Sequence, residues 1–309
     1  MLLVSGSQAF SQSYPVKQLT FVVPFTAGSA TDQQARVVAQ GLTEATGIPV
    51  VVNNKVGASG FIAAQTVATA VPDGYTILVS TNTTHAANEH LFKTLPYDPL
   101  KDFEPVTALN KGSQILIVNK DLPVKNVKEL IALAEKSPGK YTFGSGSSSS
   151  RMAVELFQQM VGIELLHVPY KSSPLAITDL IGGNIDLMIV DAPNALAQIN
   201  ADKVRGLAVS GAARNPLAPD LPTIAEAGVA GYDMSYWTAA WLPAKTPKAI
   251  VDILNELMVA ATNSKPAQEF YTRTGSERYV TTPEELAQFQ ASETDKWGSI
   301  IRKAKIEKQ

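Results

Sequence analysis

Short apolar runs and segments of helical period alternate along the chain, with small polar residues at most of the changes. Thr20 to Phe25 brings Phe21, Val22, Val23 and Phe25 together, the pattern of a buried strand, and ends in small residues leading to Thr31 and Asp32. The following QQARVVAQGLTEATG sets Ala35, Val38 and Leu42 on one face and predicts a helix capped by Ser29 or Thr31. Further strands are predicted at VVVNN (50–54), YTILVST (75–81), QILIVN (114–119), YTFGS (141–145), LLHVPY (165–170), IDLMIVDAP (185–193), RGLAVSG (205–211) and SYWTAAWLP (235–243). Helices are predicted after Ser59 and Gly60, after Asn126, through GSSSSRMAVELFQQMVG (146–162) and ITDLIGG (177–183), and from Pro247 onward. The helical tail has caps at Thr246–Pro247 and Thr282–Pro283. TNTTHA (81–86) reads as a polar loop running into a helix, and 216–233 as a turn-rich region. Such alternation predicts an α/β protein with largely parallel sheets.

Four strand-to-helix junctions share one character: FTAGSATD (25–32), STNTTHA (80–86), GSGSSSSR (144–151) and VDAPNA (190–195). Ligands of open parallel sheets bind at the carboxyl ends of strands, where such loops gather. Helix N-termini there offer unpaired N–H groups and the positive end of a dipole, which suits a carboxylate. Arg151 falls in the first turn of its helix, where the dipole disfavours a cation; a residue placed against that preference suggests a partner anion, for which its planar fork is suited. Trp237 and Trp241 share a strand face and are expected to pack in the core or between domains, and Tyr170 with Lys171 follows a strand at a cleft rim or on the surface.

At 309 residues two domains are the default. The division expected is 14–108 with 232–309, and 109–231, because the Pro-rich stretch 95–109 has weak periodicity and a second set of strand–helix units follows it. Lys and Arg total 26 against 28 Asp and Glu, a net charge of -2, which argues against nucleic acid as a partner. The chain has no cysteine, so disulfides, thiolate catalysis and cysteine-held metals are excluded. His85 and His90 have a spacing that does not put both rings on one helical face, and no metal or cofactor is expected. Residues 1–13 read as a signal-peptide remnant or a non-native leader, and no later apolar run reaches the ~18 residues of a membrane span, so an exported protein is expected. Enzyme motifs fail: GSGSSSS lacks the last glycine of a dinucleotide fingerprint, and no phosphate-binding Gly-Lys-Ser/Thr loop or Gly-x-Ser-x-Gly turn occurs.

Longer stretches carry a family likeness: YPVKQLTFVVPFTAGSATD, VVNNKVGASGFIAAQTVA, PDGYTILVSTNTTHA, LPYDPLKDFEPVT, HVPYKSSPLAITDLIGGNIDLM, LAVSGAARNPLAPDLPTIAEAG and WLPAKTP. Together they resemble the periplasmic solute-binding proteins of tripartite tricarboxylate transporters, the Bordetella uptake gene receptors. That resemblance implies a two-domain type II periplasmic-binding fold closing on its ligand like a flytrap, with no reaction catalysed. It implies a ligand carboxylate held in the first domain by Phe25, Gly28, Ser29, Ala30, Thr31, Asp32, Thr81, Asn82 and His85. The second domain would select the rest of the ligand through Ser147, Ser148, Ser149, Ser150 and Arg151, with Asp191, Ala192 and Pro193 nearby and Tyr170 at the rim. The implied partner is a membrane permease of one large and one small subunit, served by a monomer. Ser29 and Ser173 stand at or beside positions where the family often has glycine, and Ser150 and Arg151 where it commonly has a small residue and then a neutral one or His. The arginine suggests an anionic far end, hence a dicarboxylate; the family includes a terephthalate receptor, and an aromatic diacid is the favoured expectation. The alternatives are a sensor feeding a membrane signalling protein and a hydrolase built on the serine loop.

Overall fold

The computed structural model describes residues 14–303 and 306–308, so the leader expected at 1–13 lies outside the described residues. In chain order the elements are β1 (Leu19–Val23), α1 (Ala30–Thr46), β2 (Val50–Asn54), α2 (Phe61–Ala68), β3 (Thr76–Thr81), α3 (Asn88–Leu91) and β4 (Phe103–Asn119). Next come α4 (Val127–Glu135), β5 (Thr142–Ser145), α5 (Ser148–Val161), β6 (Leu166–Pro169), α6 (Ser173–Ile181), β7 (Leu187–Asp191), α7 (Ala192–Asn200) and β8 (Val204–Val209). The chain ends with β9 (Ser235–Pro243), α8 (Lys248–Ala261), α9 (Lys265–Thr274), β10 (Glu277–Arg278) and α10 (Pro283–Lys303).

Strand order is β2-β1-β3-β9-β4-β7-β5-β6, with β8 and β10 also paired to β4. This makes a mixed α/β protein of two lobes. β2, β1 and β3 run parallel in one lobe, and β6, β5 and β7 run parallel in the other. The long strand β4 belongs to both: its first half pairs antiparallel with β9 and its second half antiparallel with β7 and β8. Proline at position 105 is accommodated because the β4–β9 register shifts between Pro105 and Thr107, a bulge where the missing N–H is not required.

Periodicity and burial agree over most of the sheet. One cluster packs Leu19, Phe21, Val23, Ile77 and Val79 against Val38 and Leu42 of α1 and Leu254 and Met258 of α8. A second packs Ile115, Ile117 and Val190 against Ile177 and Leu180 of α6. The largest cluster crosses from lobe to lobe, joining Leu78, Trp241 and Trp297 to Leu116, Phe143, Met152 and Phe157. Trp237 and Trp241 lie in this core with ring centroids 6.0 Å apart, and α10 accepts their indole N–H groups at Glu293 (3.0 Å) and Gln290 (3.1 Å).

The caps follow the sequence in three cases and depart from it in one. Ser29 caps α1 by accepting the Asp32 N–H, and Asn126 caps α4 by accepting the Glu129 N–H at 2.9 Å. Thr282 and Glu285 exchange side-chain bonds to each other's N–H at 3.1 and 2.8 Å, a capping box for α10. The Thr246 hydroxyl, by contrast, turns back to the Pro243 carbonyl and does not cap α8.

Candidate functional site

Helices α1, α5, α6 and α7 begin where their strands end, and all four starts face one cleft between the lobes. Its central chamber takes Phe25, Ser29, Ala30, Thr31 and Thr81 from the first lobe. Gly146, Ser147, Ser149, Ser173 and Asp191 come from the second, and Gln114 and Tyr236 from the crossing strands β4 and β9. The chamber holds about 30 Å³, room for a water or two. Phe25 and Gly146 are shared with an outer chamber of about 260 Å³ toward Pro169, Tyr170 and Lys171. Ser147 is shared with a side chamber of about 80 Å³ walled by Arg151, His167 and Ser148.

Both principal helix starts leave amides free. At α1 the Ser29 hydroxyl occupies the Asp32 N–H, and among the described residues the Ala30 and Thr31 N–H groups have no partner. At α5 the Ser147 hydroxyl accepts the Ser150 N–H at 3.2 Å, and the Ser148 and Ser149 N–H groups are likewise free. One helix dipole from each lobe therefore points its positive end at the same space, an arrangement that attracts an anion from two sides.

The rest of the first-lobe set shapes this wall from behind. Asp32 is 2% exposed and binds the loop together: Oδ2 accepts the Gly28 N–H at 2.9 Å and Arg36 Nε at 3.0 Å, and Oδ1 accepts Asn54 Nδ2 at 2.9 Å. Burial acts to raise its pKa, but these donors outweigh it and hold the carboxyl below its ordinary range. Gly28 takes the turn at φ 84°, a conformation disfavoured for other residues. Asp32→Ala is expected to cost about 1–3 kcal/mol, the scale of leaving buried donors unpaired. Because the folded pKa is depressed, that contribution is present above the unfolded carboxylate pKa and fades as pH falls through the folded value. Urea titrations of both proteins should show a gap at neutral pH that narrows in acid.

His85 is fully buried and turned away from the cleft. Its Nδ1 meets the Thr84 hydroxyl at 2.8 Å, that hydroxyl meets Ser80 at 2.7 Å, and the ring stacks on Trp241 with centroids 3.7 Å apart. Burial pushes its pKa down to about 3, so the ring is neutral. The segment expected as a loop here is a π-turn over Thr83–Ala87, closed by these internal bonds. Asn82 is also buried; its Nδ2 donates to the Ser235 carbonyl at 3.4 Å, and its Oδ1 has no partner.

In the second lobe Ser148 bonds across to Asn88 of the first at 3.0 Å, while Ser150 donates to the Ile189 carbonyl and anchors α5 to β7. Ala192 is buried and Pro193 opens α7, neither lining the central chamber. The Tyr170 hydroxyl donates to Asp179 at 2.7 Å, leaving the residue to wall the outer and side chambers. Arg151 lines the side chamber; Nε bonds Glu155 one turn on at 3.2 Å, and its terminal nitrogens have no hydrogen-bond partner among the described residues. Beside it His167 Nε2 meets the Ser145 hydroxyl at 2.7 Å, and burial together with the Arg151 charge pushes this histidine down to about 4.

Gln114, Gly146, Ser173 and Tyr236 also line the chamber and were not among the ligand-binding residues expected from sequence. Gln114 and Tyr236 sit within strand-like runs, where a polar or amphipathic residue reads as one more alternate position. The available signal was a glutamine opening the apolar run ILIV.

Comparison with known proteins places this architecture. The family described as "Tripartite tricarboxylate transporter family receptor" matches residues 34–306. The chain belongs to this receptor family. Among solved structures, R. palustris Rpa4515 with adipate is 36% identical, with a TM-score of 0.93 over 96% of this chain and 100% of that one. The periplasmic binding protein BugD is 34% identical at TM-score 0.90, covering 96% and 100%. MatC from Rhodopseudomonas palustris, with bound malate, is 31% identical at TM-score 0.87, covering 93% and 100%. The receptor described here is thus a solute-binding protein of the periplasmic type, from a family that works with tripartite transporters. Among the described residues no helix is long and apolar enough to cross a membrane.

Proposed function

We propose that this receptor captures a small dicarboxylate between its lobes in the periplasm and, as a monomer, presents the closed form to a membrane permease of one large and one small subunit. The observation that carries the reading is the pair of unsatisfied helix starts, Ala30–Thr31 and Ser148–Ser149, set on opposite lobes of one cleft. An anion bridging them makes contacts that exist only when the lobes are together, so its binding energy shifts the population toward the closed state. Arg151 in the side chamber supplies a second anion reader. Relatives solved with adipate and with malate hold dicarboxylates. The chain crosses between lobes within β4, where its pairing passes from β9 to β7 and β8, and again before β9, and both crossings act as the hinge. Export on a leader that includes residues 1–13 belongs to the same reading.

No chemistry is part of this function. Ser145 and His167 are within hydrogen-bond reach, which is the one feature that favours a hydrolase. The histidine, however, is a weak base at about 4, and no carboxylate orients it among the described residues. A ligand sensor would share the same cleft, and only its protein partner separates it from a transport receptor.

The test is a thermal-shift screen of refolded protein against mono-, di- and tricarboxylates, with adipate and malate as flexible diacids and terephthalate as the rigid aromatic one. Diacids are expected to raise the melting temperature with concentration, since a ligand of the folded state alone must stabilise it. Absence of any shift across the carboxylates would remove the proposal.

A further inference from the structure

The floor of the central chamber is polar yet carries no cation. Gln114 and Tyr236 are 2% and 5% exposed, and both line the chamber; Gln114 Oε1 has no hydrogen-bond partner, while the Tyr236 hydroxyl has the Ser276 side chain beside it. Native interiors seldom leave such groups unpaired unless something else satisfies them. The two residues are held in place by the crossing strands: Gln114 pairs with Asp191 in the β4–β7 register, and Tyr236 pairs with Gly112 in the β4–β9 register. A Cβ at position 112 would stand 2.4 Å from the Tyr236 hydroxyl, so glycine there gives the phenol its room.

Asp191 completes the floor. Its Oδ2 accepts the Asn194 amide at 2.6 Å, its remaining partners are backbone N–H groups, and no cationic side chain shifts its charge. The other titratable group facing it is Tyr236, which burial keeps un-ionised. A carboxylate in a chamber whose other walls attract anions repels a bare carboxylate ligand at that spot. A hydroxyl or an ammonium placed there meets acceptors instead: Asp191, Gln114 Oε1 and the phenol oxygen.

We propose that Asp191, Gln114 and Tyr236 form a subsite for a hydrogen-bond-donating substituent, so that the ligand is a hydroxy- or amino-substituted carboxylate and not the bare acid. This rests on the carboxylate reading above, and it assigns the crossing strands a part in specificity as well as in hinging. A site built to pair a donor penalises the analogue that lacks it, because its buried acceptors are then left unpaired.

The experiment is titration calorimetry with matched sets: succinate, malate and aspartate; glutarate, 2-hydroxyglutarate and glutamate; adipate and 2-aminoadipate. Within at least one set the substituted acid is expected to bind about tenfold or more tighter than its bare parent, on the scale of one satisfied hydrogen bond to a charged group. Asp191→Asn and Tyr236→Phe, each shown to be folded by its melting transition, should shrink that ratio, the substituted acid losing more affinity than its bare parent. The two donors separate by pH. Burial raises the Asp191 pKa to about 6, so both donors should gain affinity as pH rises through that value, an ammonium more steeply than a hydroxyl. Equal affinity for bare and substituted acids, or an unchanged ratio in both variants, overturns the subsite alone. Bare diacids bound more tightly, with uptake of a proton, overturn it too, since Asp191 would then be a donor to an anion. Silence from every carboxylate overturns the carboxylate reading and this subsite with it.

Discussion

Gly146→Ala is expected to weaken ligand binding by about 100-fold, the scale on which a 1 Å misplacement acts in a preorganised site. The cause is backbone against backbone. A Cβ at 146 would lie 2.0 Å from the Ser173 nitrogen, 2.1 Å from the Ser172 carbonyl carbon and 2.6 Å from its oxygen. No side chain can rotate to relieve those contacts, so the loops after β5 and β6 must separate. Ser147, the cap that orients the free Ser148 and Ser149 amides, is the next residue and moves with the loop. The strain should also cost about 1–3 kcal/mol in stability, as overpacking does. Gly162→Ala is the matched control: that glycine ends the same helix at φ 72° with no atom within 4 Å of a new Cβ. It should lower the melting temperature slightly through backbone strain and leave affinity unchanged. Calorimetry and melting curves on the two variants decide the matter. Wild-type affinity in Gly146→Ala would detach the serine loop from the ligand.

The contrast between loop and hinge explains what the sequence could disclose. Strands with one dominant environment were legible, because Phe21, Val22 and Val23 or Ile115, Leu116 and Ile117 are apolar on both faces and are covered on both. Helix starts were legible because Ser29, Asn126 and Ser147 are residues whose side chains reach back to a free N–H. The crossing strand β4 was legible only in its second half. Its first half carries Pro105 and two register shifts, so alternation is lost where the ladder bulges. The polar run TNTTHA misled for the opposite reason. Thr84 and His85 Nδ1 pair with one another and both residues are buried, so polarity there did not mean a loop.

The candidate site divides along the same line. Residues at helix starts, Ser29 to Thr31 and Ser147 to Ser149, stand at the cleft with unpaired backbone N–H groups among them, and a run of small residues before an amphipathic helix announces that placement. Asp32 and His85 share those segments but face inward, a difference set by tertiary packing that no spacing reveals. Gln114 and Tyr236 face the cleft only because β4 and β9 lie side by side between the lobes, a pairing that brings together residues 122 positions apart by their numbering in the chain. Cleft-lining positions on crossing strands are therefore hidden until the topology is known.

Arg151→Ala is the second large effect expected: about 10- to 100-fold weaker binding of a diacid, matching the 1.5–3 kcal/mol of a hydrogen bond to a charged group. The monoacid of equal length should change by no more than about twofold, because it makes only the helix-start contacts and an exchange of exposed groups is worth a few tenths of a kcal/mol. Stability should fall by about 1–3 kcal/mol, because buried Glu155 loses one of its two side-chain partners, offset in part by taking a cation from the positive end of α5. Binding measured well below the variant's melting transition separates lost affinity from unfolding. His167 does not substitute for the missing charge, since burial, the larger cause of its lowered pKa, remains when Arg151 is removed. Glu155 sets the size of the effect from the other direction, because it holds the arginine in the side chamber while offsetting part of its charge. Glu155→Gln should keep the contact to Nε and uncover that charge, tightening the diacid where Arg151→Ala loosens it. If diacid and monoacid weaken equally in Arg151→Ala, the guanidinium is a structural partner of Glu155 and the far carboxylate is read elsewhere in the cleft.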